Sequence, residues 1–256
     1  MSIKFIGSGS GKTSLKRFHS SILFSTNDFV ILVDAGDGIS KALLSLNISF
    51  NEIDGILISH LHPDHFAGLS GLIIQMKLIK RTKKLKIFIH KNLIENVKNF
   101  LFQSYIFSAN LSFEIVFIEF EESKELTIVK NFKFISKQNS HLEKYKKFDE
   151  NNLLSFSSSS FLFFIDDKKI FYTGDIGHKS DLFSFKDYEI DLLITEISHV
   201  SLEEINSAGI ILKAKKIYLT HISDVDEENI NSFFKSLNED KRGKFVTAYD
   251  GLSFNL

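Results

Sequence analysis

The feature that most constrains this chain is a short polar segment, Ser59 to His65, which directly follows an apolar run and precedes a helical pattern. Three imidazoles and one carboxylate fall within six of its residues, namely His60, His62, Asp64 and His65. In an extended loop His60 and His62 point the same way, while Asp64 and His65 turn away as the helix begins. One lone His at a strand end would be read as structural, but this set is rarely a coincidence. We therefore predict a metal centre in which each pair of side chains holds one ion.

Three further residues at predicted strand ends can complete such a centre. Two cations about 3.5–4 Å apart need a shared anion, and a carboxylate suits that position. Asp175 follows a strand and Gly174, which lets the backbone come close. His221 follows the run 217–220, and His141 follows the run 132–136. The predicted metal ligands are therefore His60, His62, Asp64, His65, His141, Asp175 and His221.

The hydrophobic pattern predicts two β-rich halves covered by helices and packed sheet on sheet. Residues 1–256 are expected to form a single domain. Strands are predicted at residues 3–6, 29–33, 53–58, 85–89, 161–165, 170–172, 192–195 and 217–220. Helices are predicted at residues 42–46, 66–79, 202–213 and 226–237.

Two polar stretches are predicted to be exposed. The stretch from Lys144 to Ser160, which includes the run Ser157 to Ser160, lacks periodicity and predicts a surface loop. It lies between two predicted ligands, so it is either a mobile rim of the site or a plain connection. The stretch from Lys77 to Lys86 carries six basic residues and no acid, which favours a solvated helix end over a phosphate-facing patch.

Composition excludes several classes of protein. The chain has no cysteine, which excludes disulfides, thiolate metal sites and thiol nucleophiles. The formal net charge of −1 gives no global positive field of the kind that nucleic-acid binders show. No stretch reaches about 18 uninterrupted apolar residues, so we expect no membrane span and a cytoplasmic location.

The segment at His60 to His65 matches the signature His-x-His-x-Asp-His of the metallo-β-lactamase fold superfamily. Within that superfamily the chain most resembles ribonuclease Z and related phosphodiesterases, and the resemblance covers nearly the whole chain. Further pieces that match in order are Gly7-Ser8-Gly9, Val33-Asp34-Ala35-Gly36-Asp37-Gly38, Tyr172-Thr173-Gly174-Asp175, Leu219-Thr220-His221-Ile222-Ser223 and Ala248-Tyr249-Asp250-Gly251.

The resemblance implies an α/β fold, a four-layer αββα sandwich with mixed sheets. It also implies a hydrolase with two divalent ions, Zn²⁺ or alternatively Mn²⁺. One ion would be bound by His60, His62 and His141, the other by Asp64, His65 and His221, with Asp175 bridging. The implied substrate is a phosphodiester in RNA or a small nucleotide. Dimers are common among the relatives, so a homodimer is one expected state.

The resemblance further implies a group that moves protons. Ribonuclease Z carries a Glu in a His-Glu-Ala-Thr motif and a later His before its last ligand. Glu196 and His199 match these, although Thr195 replaces the motif His. We expect Asp64, Glu196 and His199 to be catalytic. Candidate substrate contacts are Lys12, Arg17 and Ser223.

Two departures from the ribonuclease Z pattern bear on the substrate. The Gly-rich arm that grips transfer RNA is usually inserted between the third His ligand and the bridging Asp. Only 34 positions separate His141 from Asp175, too few for an arm and the necessary strands. The family's Arg-Asn is Arg17-Phe18 here. Both departures argue against transfer RNA maturation and leave the metal chemistry unaffected.

Several other functions match parts of the sequence. The run Gly7 to Thr13 resembles a phosphate-binding loop, but Ile6 occupies the position where that motif needs Gly. A flavodiiron-type redox protein would carry a carboxylate in place of His62. Another hydrolase of the same fold, acting on a thioester, lactone, β-lactam or cyclic nucleotide, is the main alternative. A binding module without catalysis fits the full ligand set poorly.

Overall fold

The computed structural model describes all 256 residues, which form two compact units. The first unit comprises Met1–Glu121 and Tyr249–Leu256, and the second comprises Glu122–Ala248. The strands are β1 Ser2–Gly7, β2 Ser21–Ser25, β3 Val30–Val33, β4 Gly55–Leu57, β5 Leu85–His90, β6 Ile115–Phe120, β7 Glu125–Val129, β8 Phe132–Gln138, β9 Ser159–Ile165, β10 Lys168–Tyr172, β11 Leu192–Glu196, β12 Lys216–Thr220, β13 Phe245–Thr247 and β14 Ser253–Asn255.

The α-helices are α1 Ile39–Ser45, α2 Pro63–Phe66, α3 Leu69–Leu78, α4 Ile94–Gln103, α5 Leu202–Ile211, α6 Asp226–Ser236 and α7 Glu239–Arg242. Short 3₁₀ turns occur at Phe50–Glu52, Lys91–Leu93, Ser108–Asn110, Glu143–Phe148 and Lys179–Phe183. No helix combines the length and the apolar character that crossing a membrane would require.

The first unit contains a seven-stranded mixed sheet in the order β14-β1-β2-β3-β4-β5-β6. Strands β14 to β3 pair antiparallel, and β3 to β6 pair parallel. Because parallel strands end at the same sheet edge, the residues after β3 and after β4 lie side by side. That edge carries Asp34 after β3 and the Ser59 to His65 segment after β4.

Helix α3 shows how the first unit buries its core. Its buried residues are Leu69, Leu72, Ile73 and Met76, spaced so that they share one face of the helix. They belong to the same apolar cluster as Ile56 and Ile58 around β4. Full burial of each such side chain stabilises the fold by about 1.5–3 kcal/mol. This packing fixes the strand from which the polar segment leaves.

The second unit contains another seven-stranded mixed sheet, in the order β13-β12-β11-β10-β9-β8-β7. Strands β10 to β13 are parallel, and β7 to β10 are antiparallel. The ends of β10, β11 and β12 therefore share one edge, which carries Asp175, Glu196 and His221. Helix α5 packs Ile205 and Ala208 into the apolar cluster that covers this sheet.

The predicted α/β class with two mixed sheets is confirmed, and every predicted strand and helix is present with modest shifts in its ends. The predicted helix at 66–79 corresponds to α3, and the short helix α2 precedes it. Strands β2, β6, β7, β13 and β14 and helices α4 and α7 were not predicted. The single domain stays a prediction beside the two compact units.

Two predictions of exposure were wrong in part. Ser157 to Ser160 are buried, because β9 begins at Ser159 and the Ser160 hydroxyl donates to the Thr173 carbonyl at 2.6 Å. Arg81 is also buried, within a stretch predicted to be a solvated helix end. Its guanidinium donates to the carbonyls of Phe50, Ile53, Lys83 and Lys84, so it is a structural residue.

Candidate metal centre

Asp34 organises the ligand-bearing edge of the first unit. Its φ of 63° turns the chain sharply after β3, and its side chain is fully buried. The carboxylate accepts from the Ser59 amide at 2.8 Å and from the Ser59 hydroxyl at 2.9 Å. Its Oδ2 also lies 2.8 Å from His65 Nδ1. A carboxylate at one ring nitrogen fixes the tautomer, so that the other nitrogen can bind an ion.

The four predicted ligands of the first unit lie together in two pairs. The donor atoms of His60 and His62 lie within 4.8 Å of each other, and so do those of Asp64 and His65. His60 and His65 are fully buried, and His60 Nδ1 lies 3.0 Å from the Ser59 hydroxyl. His65 Nε2 lies 3.5 Å from Asp64 Oδ2. The His60 ring centroid lies 4.7 Å from that of His62 and 4.4 Å from that of His65, so these side chains lie together and their division between two ions stays a prediction.

Helix α2 carries and orients Asp64 and His65. His62 precedes this helix with extended backbone angles, and Pro63 begins it, where a missing amide hydrogen costs nothing. Gly36 is required beside it, because a Cβ there would lie 2.0 Å from the Asp64 carbonyl. The Ala35 amide donates to the His65 carbonyl at 2.7 Å. The loop after β3 is thus fastened to the helix that carries Asp64 and His65.

Asp175 is the common member of the ligands in the second unit. Its Oδ2 lies 3.2 Å from His221 Nε2 and 3.7 Å from His141 Nε2. All three side chains are at least nine-tenths buried. The turns that present them are tight, with a φ of 58° at Gly174 and 57° at His221. Non-glycine residues in this region carry about 1–3 kcal/mol of strain, which is typical of functional sites.

A hydrogen-bond network holds His141 beside Asp175. The His141 amide donates to Asn139 Oδ1 at 3.2 Å, and Asn139 Nδ2 donates to the Thr173 carbonyl at 3.4 Å. Asp181 Oδ2 accepts from the amide and the hydroxyl of Ser140, and also from the Gly177 amide. Asp181 therefore joins the loop before His141 to the loop after Asp175.

Glu196 and His199 form a separate pair at the end of β11. Glu196 is buried, and its Oε1 lies 2.7 Å from His199 Nδ1. The same carboxylate accepts from the amides of Ile176, Ser198 and His199. The hydrogen bond from Glu196 raises the pKa of His199 above its usual value, against an opposing effect of burial. The protonated form of His199 is therefore favoured by its contact with Glu196.

His199 lies among the ligands of the second unit. Its ring centroid lies 5.0 Å from that of His141 and 6.4 Å from that of His221. Ser198, which precedes His199, contacts the predicted ligand His221. Its hydroxyl is 3.0 Å from His221 Nδ1 and donates to the His221 carbonyl. The unusual closeness of Glu196 and His199 in the sequence is thus compatible with a defined geometry.

The predicted substrate contacts have structural partners. Lys12 is exposed, and its amide donates to the Ser10 hydroxyl at 3.3 Å. Arg17 Nη1 donates to the Ser8 hydroxyl at 2.7 Å. The Ser223 hydroxyl donates to Asp226 Oδ2 at 2.7 Å, which fixes the start of α6. Their contact with substrate stays a prediction.

The sequence did not single out two residues that support the site, Asp34 and Asp181. Asp34 lies within a motif that matches the superfamily, so the sequence points to this residue but does not indicate its role. Asp181 had no such signal. The three remaining His residues outside the site act locally: His19 Nδ1 lies 2.8 Å from the Ser10 carbonyl, and His90 and His178 accept from backbone amides at the starts of 3₁₀ turns.

Comparisons with known proteins agree with this architecture. Ribonuclease Z of Saccharolobus solfataricus is 37% identical over 127 residues, which are 49% of this chain and 42% of that protein. The chain thus spans less than half the length of the curated relatives it matches. This match confirms the resemblance to ribonuclease Z within the metallo-β-lactamase superfamily.

Two solved structures show the same fold over the whole chain. Human tRNase Z, short form, gives a TM-score of 0.74 at 20% identity and covers 100% of this chain and 99% of its own. The metallo-β-lactamase fold protein YhfI from Bacillus subtilis gives 0.75 at 20% identity, with 99% and 98% covered. The predicted metallo-β-lactamase fold is confirmed.

A family model also matches the chain. The model of the anti-Pycsar protein Apyc1 matches residues 1–246, which is nearly the entire sequence. By this match the chain belongs to the Apyc1 family of anti-Pycsar proteins.

Proposed function

We propose that this protein is a metal-dependent hydrolase that uses two divalent ions to cleave a phosphodiester. The observation that carries the proposal is the position of Asp175, whose Oδ2 lies within 4 Å of both His141 and His221. One carboxylate oxygen between two imidazoles suits a bridge between two cations. The similarity to ribonuclease Z supports the same class of reaction.

The donor chemistry fits two ions. Imidazole and carboxylate ligands without thiolate suit Zn²⁺ or Mn²⁺, and Zn²⁺ is the ion that we propose. In the proposed arrangement His60 and His62 of the first unit act with His141, and Asp64 and His65 act with His221. Asp175 serves both sets. Seven ligands exceed what one four-coordinate ion can use.

The residues around the centre have distinct tasks in the proposed reaction. When bound, two divalent ions supply a lowered pKa for water and neutralise charge on a phosphoryl group. Asp34 and Ser59 hold His65 and His60 in the orientation that ligands need. His199, oriented by Glu196, donates a proton to the departing ester oxygen. After this transfer His199 must regain a proton, and the Glu196 carboxylate favours this by stabilising the imidazolium.

The chain between His141 and Asp175 bears on the substrate. It contains only the 3₁₀ turn Glu143–Phe148, a loop, and strands β9 and β10. No folded arm is present there, as the spacing predicted. The proposed substrate is therefore a phosphodiester recognised close to the centre, either in single-stranded RNA or in a small nucleotide. Transfer RNA, if cut, is expected to bind poorly.

A substrate panel on the zinc- or manganese-loaded protein tests the proposal. The panel contains a methyl p-nitrophenyl phosphate diester, cyclic nucleotides, single-stranded RNA, precursor transfer RNA, a thioester, a lactone and a β-lactam. We expect turnover of at least one phosphodiester and loss of that turnover in Asp175→Ala. Turnover of the thioester, lactone or β-lactam with none of any phosphodiester would assign another hydrolase of this fold.

A further inference from the structure

Residues 142–154 form a surface segment that directly follows His141 and carries two aromatic rings and three lysines, whose charge is balanced by three acidic residues. The 3₁₀ turn Glu143–Phe148 opens it, and a loop completes it. Phe148 is 73% exposed and Tyr145 is 37% exposed, whereas most large apolar side chains of the protein are buried. Exposed aromatic groups that cluster in this way indicate a contact surface. We call it the 142–154 segment.

The loop of this segment has a defined shape. The Asp149 carboxylate accepts from the amides of Leu153 and Leu154, at 2.9 and 2.7 Å. The Asn152 amide donates to the Asp149 carbonyl, and Asn152 adopts a φ of 53°. The backbone of Leu153 and Leu154 is therefore fixed, and their side chains are exposed.

Positive charge lies next to each exposed ring. Lys144 Nζ lies 5.2 Å from the centroid of Tyr145, and Lys147 Nζ lies 5.0 Å from the centroid of Phe148. Lys146, in contrast, faces Glu143 in an ion pair at 3.7 Å. Rings for stacking beside cations for phosphate are the combination with which proteins bind single-stranded nucleic acid and nucleotides.

The segment lies beside the proton donor of the second unit. His141 connects directly to it, and the His141 ring lies 5.0 Å from that of His199. A ligand on this surface would therefore be near the group that donates a proton to the leaving oxygen.

We propose that the 142–154 segment binds the nucleoside part of a phosphodiester substrate. Tyr145 and Phe148 stack on the base, and Lys144 and Lys147 neutralise phosphate oxygens. The inference rests on the proposed function, because it adds a recognition element to the same site. Exposed apolar side chains beside lysines also suit an anionic membrane, but the direct attachment of the segment to His141, whose ring lies near His199, favours substrate.

Two chromogenic diesters with the same leaving group isolate the effect of the base. One is thymidine 5′-(p-nitrophenyl phosphate), and the other is methyl p-nitrophenyl phosphate, which has no base. Loss of one stacking ring should weaken binding by about 1–3 kcal/mol, or about 5- to 150-fold. Phe148→Ala is expected to raise KM for the thymidine ester within this range and leave kcat nearly unchanged. KM for the methyl ester should change less than about twofold. Phe148→Trp should restore the parent KM for the thymidine ester.

A matched control comes from the first unit. Phe102 is 64% exposed on α4, so Phe102→Ala removes a comparable exposed ring and should leave KM for both esters unchanged. Equal changes on the two esters in Phe148→Ala, or none, would overturn the inference. If Phe148→Ala leaves KM unchanged but no longer binds phosphatidylglycerol vesicles, the inference is also overturned. The 142–154 segment would then be a membrane-binding surface.

The inference and the proposed function fail separately. If the parent protein cuts the methyl ester but Phe148→Ala does not discriminate, only the inference fails. If the parent cuts neither ester, the proposed function fails. Equilibrium dialysis of thymidine 5′-monophosphate then decides the inference, which requires at least fivefold weaker binding in Phe148→Ala and is overturned by equal binding.

Discussion

The Asp34 carboxylate and the His65 imidazole contact each other at 2.8 Å between Oδ2 and Nδ1, and both side chains are fully buried. Because this contact occupies Nδ1, the nitrogen that can bind an ion is Nε2, which faces Asp64 Oδ2 at 3.5 Å. Asp34 thereby sets the tautomer and the direction of a predicted ligand without being a ligand itself.

Replacing Asp34 should weaken ion binding. In Asp34→Asn an amide faces His65 Nδ1, so the carboxylate that fixes the tautomer is lost. We expect an affinity for Zn²⁺ about 10- to 100-fold lower, measured by competition with a chromogenic chelator. Asp37→Asn is the matched control, because Asp37 is exposed three residues further along. Equal affinities in the two variants would show that Asp34 has no part in orienting the ligand.

The contact between Glu196 and His199 predicts a pH effect. The hydrogen bond from Glu196 raises the pKa of His199, so the donor stays protonated until the pH rises through that elevated value. Glu196→Gln removes the negative charge, which lowers the pKa. The alkaline limb of kcat/KM should therefore move to lower pH. The same change at exposed Glu203 should leave the limb in place, and an unmoved limb in Glu196→Gln would contradict the pairing.

Removal of His199 itself should separate acid catalysis from ion binding. His199→Ala is expected to lower the rate about 10²- to 10⁴-fold on a diester with a poor leaving group. A p-nitrophenyl ester, whose leaving group needs no proton, should lose far less. Ion content and fold should stay as in the parent. Equal losses on the two esters, or lost ions, would make His199 a ligand or a structural residue.

Much of this site could be predicted because its residues lie at strand ends. Asp175 and His221 follow apolar β runs that the sequence predicts as strands, and the structure brings their ends to one sheet edge by parallel pairing. The alternate positions of His60 and His62 also predicted that their side chains point the same way. The contact of Asp34 with His65 was out of reach, because it joins residues 31 positions apart across two neighbouring strands.

The missed elements have different causes. Strand β14 has three residues and forms only by pairing with β1 at the other end of the chain, so no local pattern predicts it. Helix α4, in contrast, buries Val97 and Leu101 at helical spacing, which the sequence does contain. Arg81 was misjudged because two of its acceptors, Phe50 and Ile53, lie about 30 residues away, and charge alone favours exposure.

Arg81 also gives a stability prediction. Arg81→Met would leave four backbone carbonyls without the guanidinium that now donates to them. Each buried acceptor left unsatisfied costs about 1–3 kcal/mol, so we expect a loss of at least about 3 kcal/mol in the free energy of unfolding by urea. Lys80→Met, at an exposed neighbour, should change it by less than about 0.5 kcal/mol. A similar small loss in both variants would contradict the structural role.

Elemental analysis of the protein after mild dialysis tests the two-ion centre most directly. Because Asp175 Oδ2 faces both His141 and His221, we expect close to two transition-metal ions per chain in the parent. Asp175→Ala should lose ions together with activity, since both cations would lose their shared anion. A parent content near zero that added Zn²⁺ or Mn²⁺ does not raise, or one ion per chain that Asp175→Ala leaves unchanged, would contradict the account.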